Sequence, residues 1–242
     1  MTRTAFRAVR APILSQSWRH LTFVHWPVPP DRVAPLLPPG VQPDVLDGQT
    51  YVGLVALQMV GVGPVYGPGV PYLGTFPETN VRLYTVDRQG RRGVTFLSMD
   101  AARLVPVLVA RGSFRLPYRW SRMGLTHRAG RLAYGCWRRW PRPRVASAMV
   151  ATVGEPIEKP SALEDFVTAR WGLHVAGYGR TWYLPNEHPP WRLYAARLER
   201  LADGLVAAAG LPGVADEPPV SVLYSPGLAV RFGAPHPVPA WA

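Results

Sequence analysis

Proline sets the first limit on what this chain can become. There are 28 prolines and 23 glycines in 242 residues. A proline ring removes a backbone donor and clashes with the preceding helical turn, so an all-helical bundle is excluded. The densest stretch, GVGPVYGPGVPYLGTFP over residues 61–77, holds five glycines and four prolines and reads as a loop. Disorder is excluded by composition, because 48% of the residues are hydrophobic and only 17% are charged. A chain of this length buries roughly 70% or more of its unfolded surface, which is enough for a sizeable core.

Between the breakers the pattern is mostly strand. Residues 21–26 (LTFVHW) are β-branched and aromatic and stop at Pro27, while residues 50–60 (TYVGLVALQMV) are apolar almost throughout. Such a run fits a strand buried on both faces. One hairpin is expected over 80–86 and 93–99, and another over 126–140 turning at Ala129-Gly130. Further strands are expected over 144–153, 171–178 and 180–184. Helices should be short. One opens at Pro29-Pro30-Asp31 with Asp31 as cap, and one is capped by Asp100 and runs toward Arg111 with Pro106 as a defect. A third covers 162–170 behind the capping-box pattern Ser161-Ala162-Leu163-Glu164. Residues 193–209 are helical by composition, yet Asp203-Gly204 could equally be a turn, and Tyr224-Ser225-Pro226-Gly227 reads as a plain turn. Neither a repeat nor a linker interrupts the pattern. The expected fold class is α+β, a single, mainly antiparallel domain over residues 1–242.

Cys136 is the only cysteine, which excludes an internal disulfide and any multi-cysteine metal site. No apolar run approaches the roughly 20 residues needed to span a bilayer. No signal-length apolar stretch follows Arg3, Arg7 and Arg10, so a cytoplasmic protein without a membrane partner is expected. The formal charge is +12, and 26 of the 27 basic residues are arginine. Residues 111–144 hold ten arginines and no acid, interleaved with Tyr118, Trp120, Trp137 and Trp140. Such a face can track phosphates, or it can simply be a solvated hairpin. Basicity alone names no groove, so nucleic acid is the lesser reading.

Motifs exclude several chemistries. There is no G-x-S-x-G and no Walker lysine, and residues 61–67 miss G-x-G-x-x-G. The six histidines show neither H-x-H nor H-E-x-x-H spacing, and His20 and His25 should point to opposite faces of a strand. No metal and no cofactor are expected. The sharpest constellation is Phe76-Pro77-Glu78-Thr79-Asn80-Val81-Arg82. Period-two alternation puts Glu78, Asn80 and Arg82 on one face and Thr79 and Val81 on the other. On an inner face, Arg82 can fix an anion and a desolvated Glu78 can move protons. On an outer face the three are ordinary solvated residues. A second candidate is His188 in Asn186-Glu187-His188-Pro189-Pro190-Trp191, where two prolines stiffen an extended segment. It can serve as an acid–base group or as a pocket wall, although a lone histidine is more often structural.

Several segments in fixed order carry a resemblance. RHLTFVHWPVPPDRVAPLLPPGVQPDVLDGQTYVGLVALQM, FPETNVRLYTV, GVTFLSMDAARLVPVLVARGSFRLPY, EHPPW and LYSPG together span about Trp18 to Arg231. In these the chain resembles the YqjF-like family, bacterial proteins placed in the acetoacetate decarboxylase superfamily. The resemblance implies a strongly curved antiparallel sheet, a cone or barrel, enclosing a polar-floored cavity that takes a small-molecule ligand; homo-oligomers are implied by the same analogy. It places Glu78 at the decarboxylase's pocket glutamate and Arg19 at its pocket arginine. It also exposes a difference. The decarboxylase forms a Schiff base through a lysine followed by a second lysine after a Tyr-Pro pair. Here that stretch is Arg115-Leu116-Pro117-Tyr118-Arg119-Trp120, with Tyr118 and Arg119 where the lysines would stand. Neither side chain can form an imine. The sole lysine, Lys159, lies in a Pro-bounded polar segment far from this motif. The expected function is therefore a pocket for an anionic or carbonyl-containing metabolite, acting without Schiff-base decarboxylation. A lyase or hydratase using Glu78, with Arg82, Asn80, Tyr118, Arg19 and His188 around the ligand, stands beside a non-catalytic sensing module.

Overall fold

A computed structural model describes residues 9–239. The expected single-domain span includes residues 1–8 and 240–242, and so Arg3 and Arg7, which lie outside the described residues. The strands are β1 (Pro12–Val28), β2 (Val41–Pro43), β3 (Thr50–Pro64), β4 (Phe76–Asp87), β5 (Arg92–Ala101), β6 (Tyr118–Arg128) and β7 (Arg131–Trp140). They continue with β8 (Ala146–Pro156), β9 (Gly172–Gly177), β10 (Arg180–Glu187), β11 (Tyr194–Asp203), β12 (Ser221–Gly233) and β13 (His236–Pro237). The helices are short: α1 (Pro30–Val33), α2 (Leu104–Phe114), α3 (Ala162–Thr168) and α4 (Leu205–Ala208).

All of these strands belong to one curved sheet, antiparallel except where β5 meets β6 and β9. Its centre is a wall in the order β12-β1-β3-β4-β5. Each edge of the wall has two further partners. β12 pairs with β11 at Leu223 and Tyr224 and with β10 at Arg231 and Phe232. β5 pairs with β9 at Val94 and with β6 over Met99, Asp100 and Ala101. Strands β9 and β10 therefore close the wall into one ring, and β6, β7, β8 and β11 close it into a second.

The two rings use opposite faces of the wall, which explains the unbroken apolar run of β3. Tyr51, Val55, Leu57 and Met59 pack with Leu173, Val175 and Leu184 of the first ring. Val52, Leu54 and Ala56 pack with Leu132, Tyr134 and Met149 of the second. Both sides of the strand meet protein, so neither needs polar residues.

The wall bends where its edge strands change partners. Within β12, Gly227 takes φ +114°, and a Cβ there would lie 1.9 Å from the Trp18 carbonyl oxygen. Tyr224–Gly227 is thus continuous strand with a kink, where the sequence suggested a turn. Across the ladder, β1 carries a bulge between Arg19 and Thr22, with His20 at φ +50°. The bulge reverses the alternation of β1. Leu14, Gln16 and Trp18 face the first ring before it, and Leu21 and Phe23 face the same ring after it.

The capping box of α3 forms as expected: the Ser161 hydroxyl accepts from the Glu164 N–H, and the Glu164 carboxylate accepts from the Ser161 N–H. Asp100 does not cap α2. It sits in β5, where its carboxylate accepts from Arg138 at 2.8 and 2.7 Å and from Ser121 at 2.7 Å. The helix starts at Leu104 instead, and Pro106 falls in its first turn, where no intrahelical N–H is needed. Asp31 likewise caps nothing, since α1 opens with Pro30 and has no side-chain cap. Residues 193–209 are mostly the strand β11, which the composition did not suggest; the chain turns at Gly204 and only the short α4 after it is helical.

Candidate functional site

The first ring encloses a cavity of about 250 Å³. Its polar floor comes from β4. Glu78, Asn80 and Arg82 line the cavity, while Val81 and Leu83 pack into the second core on the other side of the strand. Glu78 is buried and accepts from the Tyr118 hydroxyl at 2.8 Å and from Asn80 Nδ2 at 3.2 Å. Burial raises its pKa to about 7, against the pull of those two hydrogen bonds and with help from the Asp100 charge. Tyr118 reaches this spot because Arg115, in the left-handed region, ends α2, and Leu116-Pro117 returns the chain to the sheet beside Met99. Burial and the adjoining Glu78 hold the phenol well above its usual pKa, so it remains a donor.

Arg82 is half-buried. Its Nε donates to the Tyr84 hydroxyl and its Nη2 to the Val167 carbonyl at the end of α3, each at 3.3 Å. The guanidinium lies 5.3 Å from the Phe23 ring centroid and 5.6 Å from that of Tyr84. Behind it, His25 Nε2 is 2.7 Å from the Tyr84 hydroxyl. Burial, and then the Arg82 charge, hold His25 well below its usual pKa, so the imidazole is neutral. His20 lies on the other face beside His127 and Tyr224.

His188 also lines the cavity, its ring 4.6 Å from Trp171 and 5.1 Å from Trp191, with Nδ1 donating to the Pro189 carbonyl at 2.7 Å. Burial lowers its pKa. Glu78, Asn80, Arg82, Tyr118 and His188 thus share one chamber. Arg19 does not. It is exposed on β1, because it precedes the bulge and carries the outward parity there. Lys159 is exposed in the loop between β8 and α3 and does not line the cavity.

Four polar lining residues, Gln16, Thr168, Arg170 and Asn186, were not candidates in the sequence. Arg170, just beyond α3, is buried; its Nε donates to the Phe166 carbonyl at 2.7 Å and its Nη1 to Asp44. Nothing in its local sequence distinguishes it, since only tertiary folding brings Asp44 against it. Asn186, on β10, was visible only as part of the His188 segment. Three buried atoms at this cavity have no hydrogen-bond partner: Asn80 Oδ1, Asn186 Oδ1 and Arg170 Nη2. Among the described residues, no group of three or more His, Cys, Asp or Glu could hold a metal ion.

The arginines of 111–144 lie mostly elsewhere. Arg115, Arg122, Arg128, Arg131, Arg139, Arg142 and Arg144 are exposed, and Arg138 is buried against Asp100. Trp120, Trp137, Arg122, Arg139 and Arg144 flank an open groove of about 660 Å³ on the second ring. It shares no lining residue with the chamber.

The family model DUF2071, described as uncharacterized conserved protein, matches residues 15–229. "Uncharacterized protein YqjF" of Bacillus subtilis (strain 168) is 29% identical over 201 residues, covering 82% of each chain. Among solved structures, an acetoacetate decarboxylase-like enzyme from Sphingomonas wittichii RW1 is similar with a TM-score of 0.65 at 14% identity, over 97% of this chain and 96% of that one. The enduracididine biosynthesis enzyme MppR, complexed with pyruvate, is similar with a TM-score of 0.61 at 16% identity, over 98% and 94%. At these identities the structural likeness concerns the fold.

Proposed function

The chain belongs to the DUF2071 family of uncharacterized conserved proteins, and from that premise we propose that its chamber binds and acts on a small anionic or carbonyl-containing metabolite without forming an imine. The observation that carries this reading is Glu78: a buried carboxyl with a pKa of about 7, held by Tyr118 in a chamber that also holds two guanidinium groups. A group that is half-protonated near neutrality can both give and take a proton. Arg82 supplies positive charge for an anion, and Arg170, whose charge is paired with Asp44, offers its unpartnered Nη2 as a further donor. On the resemblance Tyr118 occupies the position of the imine-forming lysine, and Lys159 is exposed and does not line the chamber. Proton transfer by Glu78, as in a lyase or hydratase, is therefore the chemistry available.

No helix among the described residues is long and apolar enough to cross a membrane, and the reading takes the protein as cytoplasmic. The experiment uses pyruvate and acetoacetate as first probes, because a neighbour of the same fold is complexed with pyruvate. A probe that binds should raise the melting temperature, and Glu78→Gln and Arg82→Ala should abolish that rise while leaving the unliganded protein folded. An unchanged rise in both variants removes these residues from the site. Borohydride with either probe should leave Lys159 unmodified, and an adduct there would restore the imine chemistry. Product formed in many equivalents separates an enzyme from a sensing module.

The Trp120–Trp137 groove favours a second, independent reading as a polyanion surface, since flanking arginines face no exposed acid within 111–144. Retention on a polyanion column that weakens steeply with salt supports it, and no retention at low salt removes it.

A further inference from the structure

The polar and apolar parts of the chamber are segregated by depth. Every polar side chain lining it is buried except Arg82, which is half-buried. Of all the lining residues only Ile13 and Val109 are exposed, at 45% and 56%. The way in is therefore apolar and passes between the start of β1 and helix α2. Outside it, α2 turns Leu104, Val105 and Leu108 to solvent, residues that a surface helix ordinarily presents to a core.

The deep end asks for particular chemistry. Arg170 Nη2 is a buried donor without an acceptor, which an anionic oxygen would satisfy. Asn80 Oδ1 and Asn186 Oδ1 are buried acceptors without donors; a hydroxyl, with its single O–H, would satisfy one of them, and a bare carbonyl would satisfy neither. A cavity of about 250 Å³ holds roughly eight groups of water size, at about 30 Å³ each. A carboxylate and a hydroxyl use about four of them, which leaves room for roughly four more carbons before the chain reaches the mouth.

We infer that the ligand is an amphipathic aliphatic hydroxy acid of about six to ten carbons, bound head-first with its carboxylate at Arg170 and Arg82, its hydroxyl donating to one of the two asparagine oxygens, and its tail leaving between Ile13 and Val109 onto α2. This rests on the small-molecule reading above and narrows it to a ligand longer than pyruvate or acetoacetate. It also gives the exposed apolar face of α2 a use, as the surface that shelters the emerging tail.

The test is calorimetric titration with 3-hydroxyalkanoates of four, six, eight and ten carbons. Each methylene that enters the chamber should tighten binding about three- to fourfold, so six carbons, the fifth filling the chamber and the sixth meeting its mouth, should bind at least about three- to fourfold more tightly than four. The gain should continue, less steeply, to eight. Val109→Arg, an exposed position on α2, should erase the gain beyond six carbons. The unsubstituted alkanoate of six carbons should bind more weakly than its hydroxylated counterpart. Equal affinity at four and eight carbons, or a full gain retained in Val109→Arg, overturns the inference, as does a failure of all four acids to bind. Binding that is independent of length but lost in Arg82→Ala overturns this inference while leaving the small-molecule reading in place. Length-dependent binding untouched by Arg82→Ala and Glu78→Gln overturns the head-first pose inferred here, and with it the assignment of Arg82 and Glu78 to the site.

Discussion

Glu78 is the residue whose environment says most. Its pKa of about 7 in the folded state lies above the ordinary 4.5, so the native protein holds this proton more tightly than the unfolded chain does. The resulting stabilisation is complete below about pH 4.5 and is lost as pH rises through about 7. The wild-type protein should therefore lose on the order of 3 kcal/mol of unfolding free energy across this window from this group, and Glu78→Gln should show a flatter profile. Urea denaturation at pH 5, 6, 7 and 8 checks it, and parallel profiles would return Glu78 to an ordinary carboxylate. In Tyr118→Phe the carboxylate loses a hydrogen bond that favours its charged form. The carboxyl stretch followed by infrared spectroscopy should then titrate at a higher pH than in the wild type. Glu78, Asn80 and Arg82 were legible as one face because strand alternation needs no tertiary knowledge. Arg170 was not, because its role depends on Asp44, which is distant in sequence. Arg19 was misplaced for a local reason that sequence does not display, the bulge at residues 19–22.

At the level of elements, the informative features are interruptions. The apolar run of β3, the hairpin turning at Ala129-Gly130 and the capping box at Ser161 could be read directly, since each is fixed by neighbours within a few residues. The helix running toward Arg111 was readable too, but its start was not, because Arg138 and Ser121 claim the Asp100 carboxylate from other strands. The kink in β12 was hidden too, since Pro-Gly signals a turn unless a neighbouring strand runs alongside. Gly227 is the only residue type that fits there, at φ +114° against the Trp18 carbonyl. Gly227→Ala should cost about 2–3 kcal/mol in chemical denaturation. A loss below about 0.5 kcal/mol would mean that β12 does not bend there.

For the molecule as a whole, two closures share one wall, and the second depends on a buried ion pair. Arg138 on β7 reaches past β6 to Asp100 on β5, both side chains being almost fully enclosed. Asp100→Ala leaves that guanidinium stranded and should cost about 3–5 kcal/mol in guanidinium denaturation. Replacing both partners by leucine should cost less than the single change, because no charge is then left unpaired. If the single variant is the milder of the two, the pair is not what joins β5 to β7. The curved antiparallel architecture was readable from the strand pattern and the resemblance, whereas the double closure was not, since it turns on which halves of β5 and β12 each later strand meets.

The shared partition also fixes how such a protein can change over generations. Every position along its inner strands belongs to one of two compartments, and neighbours in sequence belong to different ones except at bulges such as that of β1. A single codon gained within β4 would hand the floor of the chamber to Thr79 and Val81 and drive Glu78 and Asn80 into the packing of the other side. Lengthening by two codons would keep the assignment, so lineages that remodel this strand should do so in even steps.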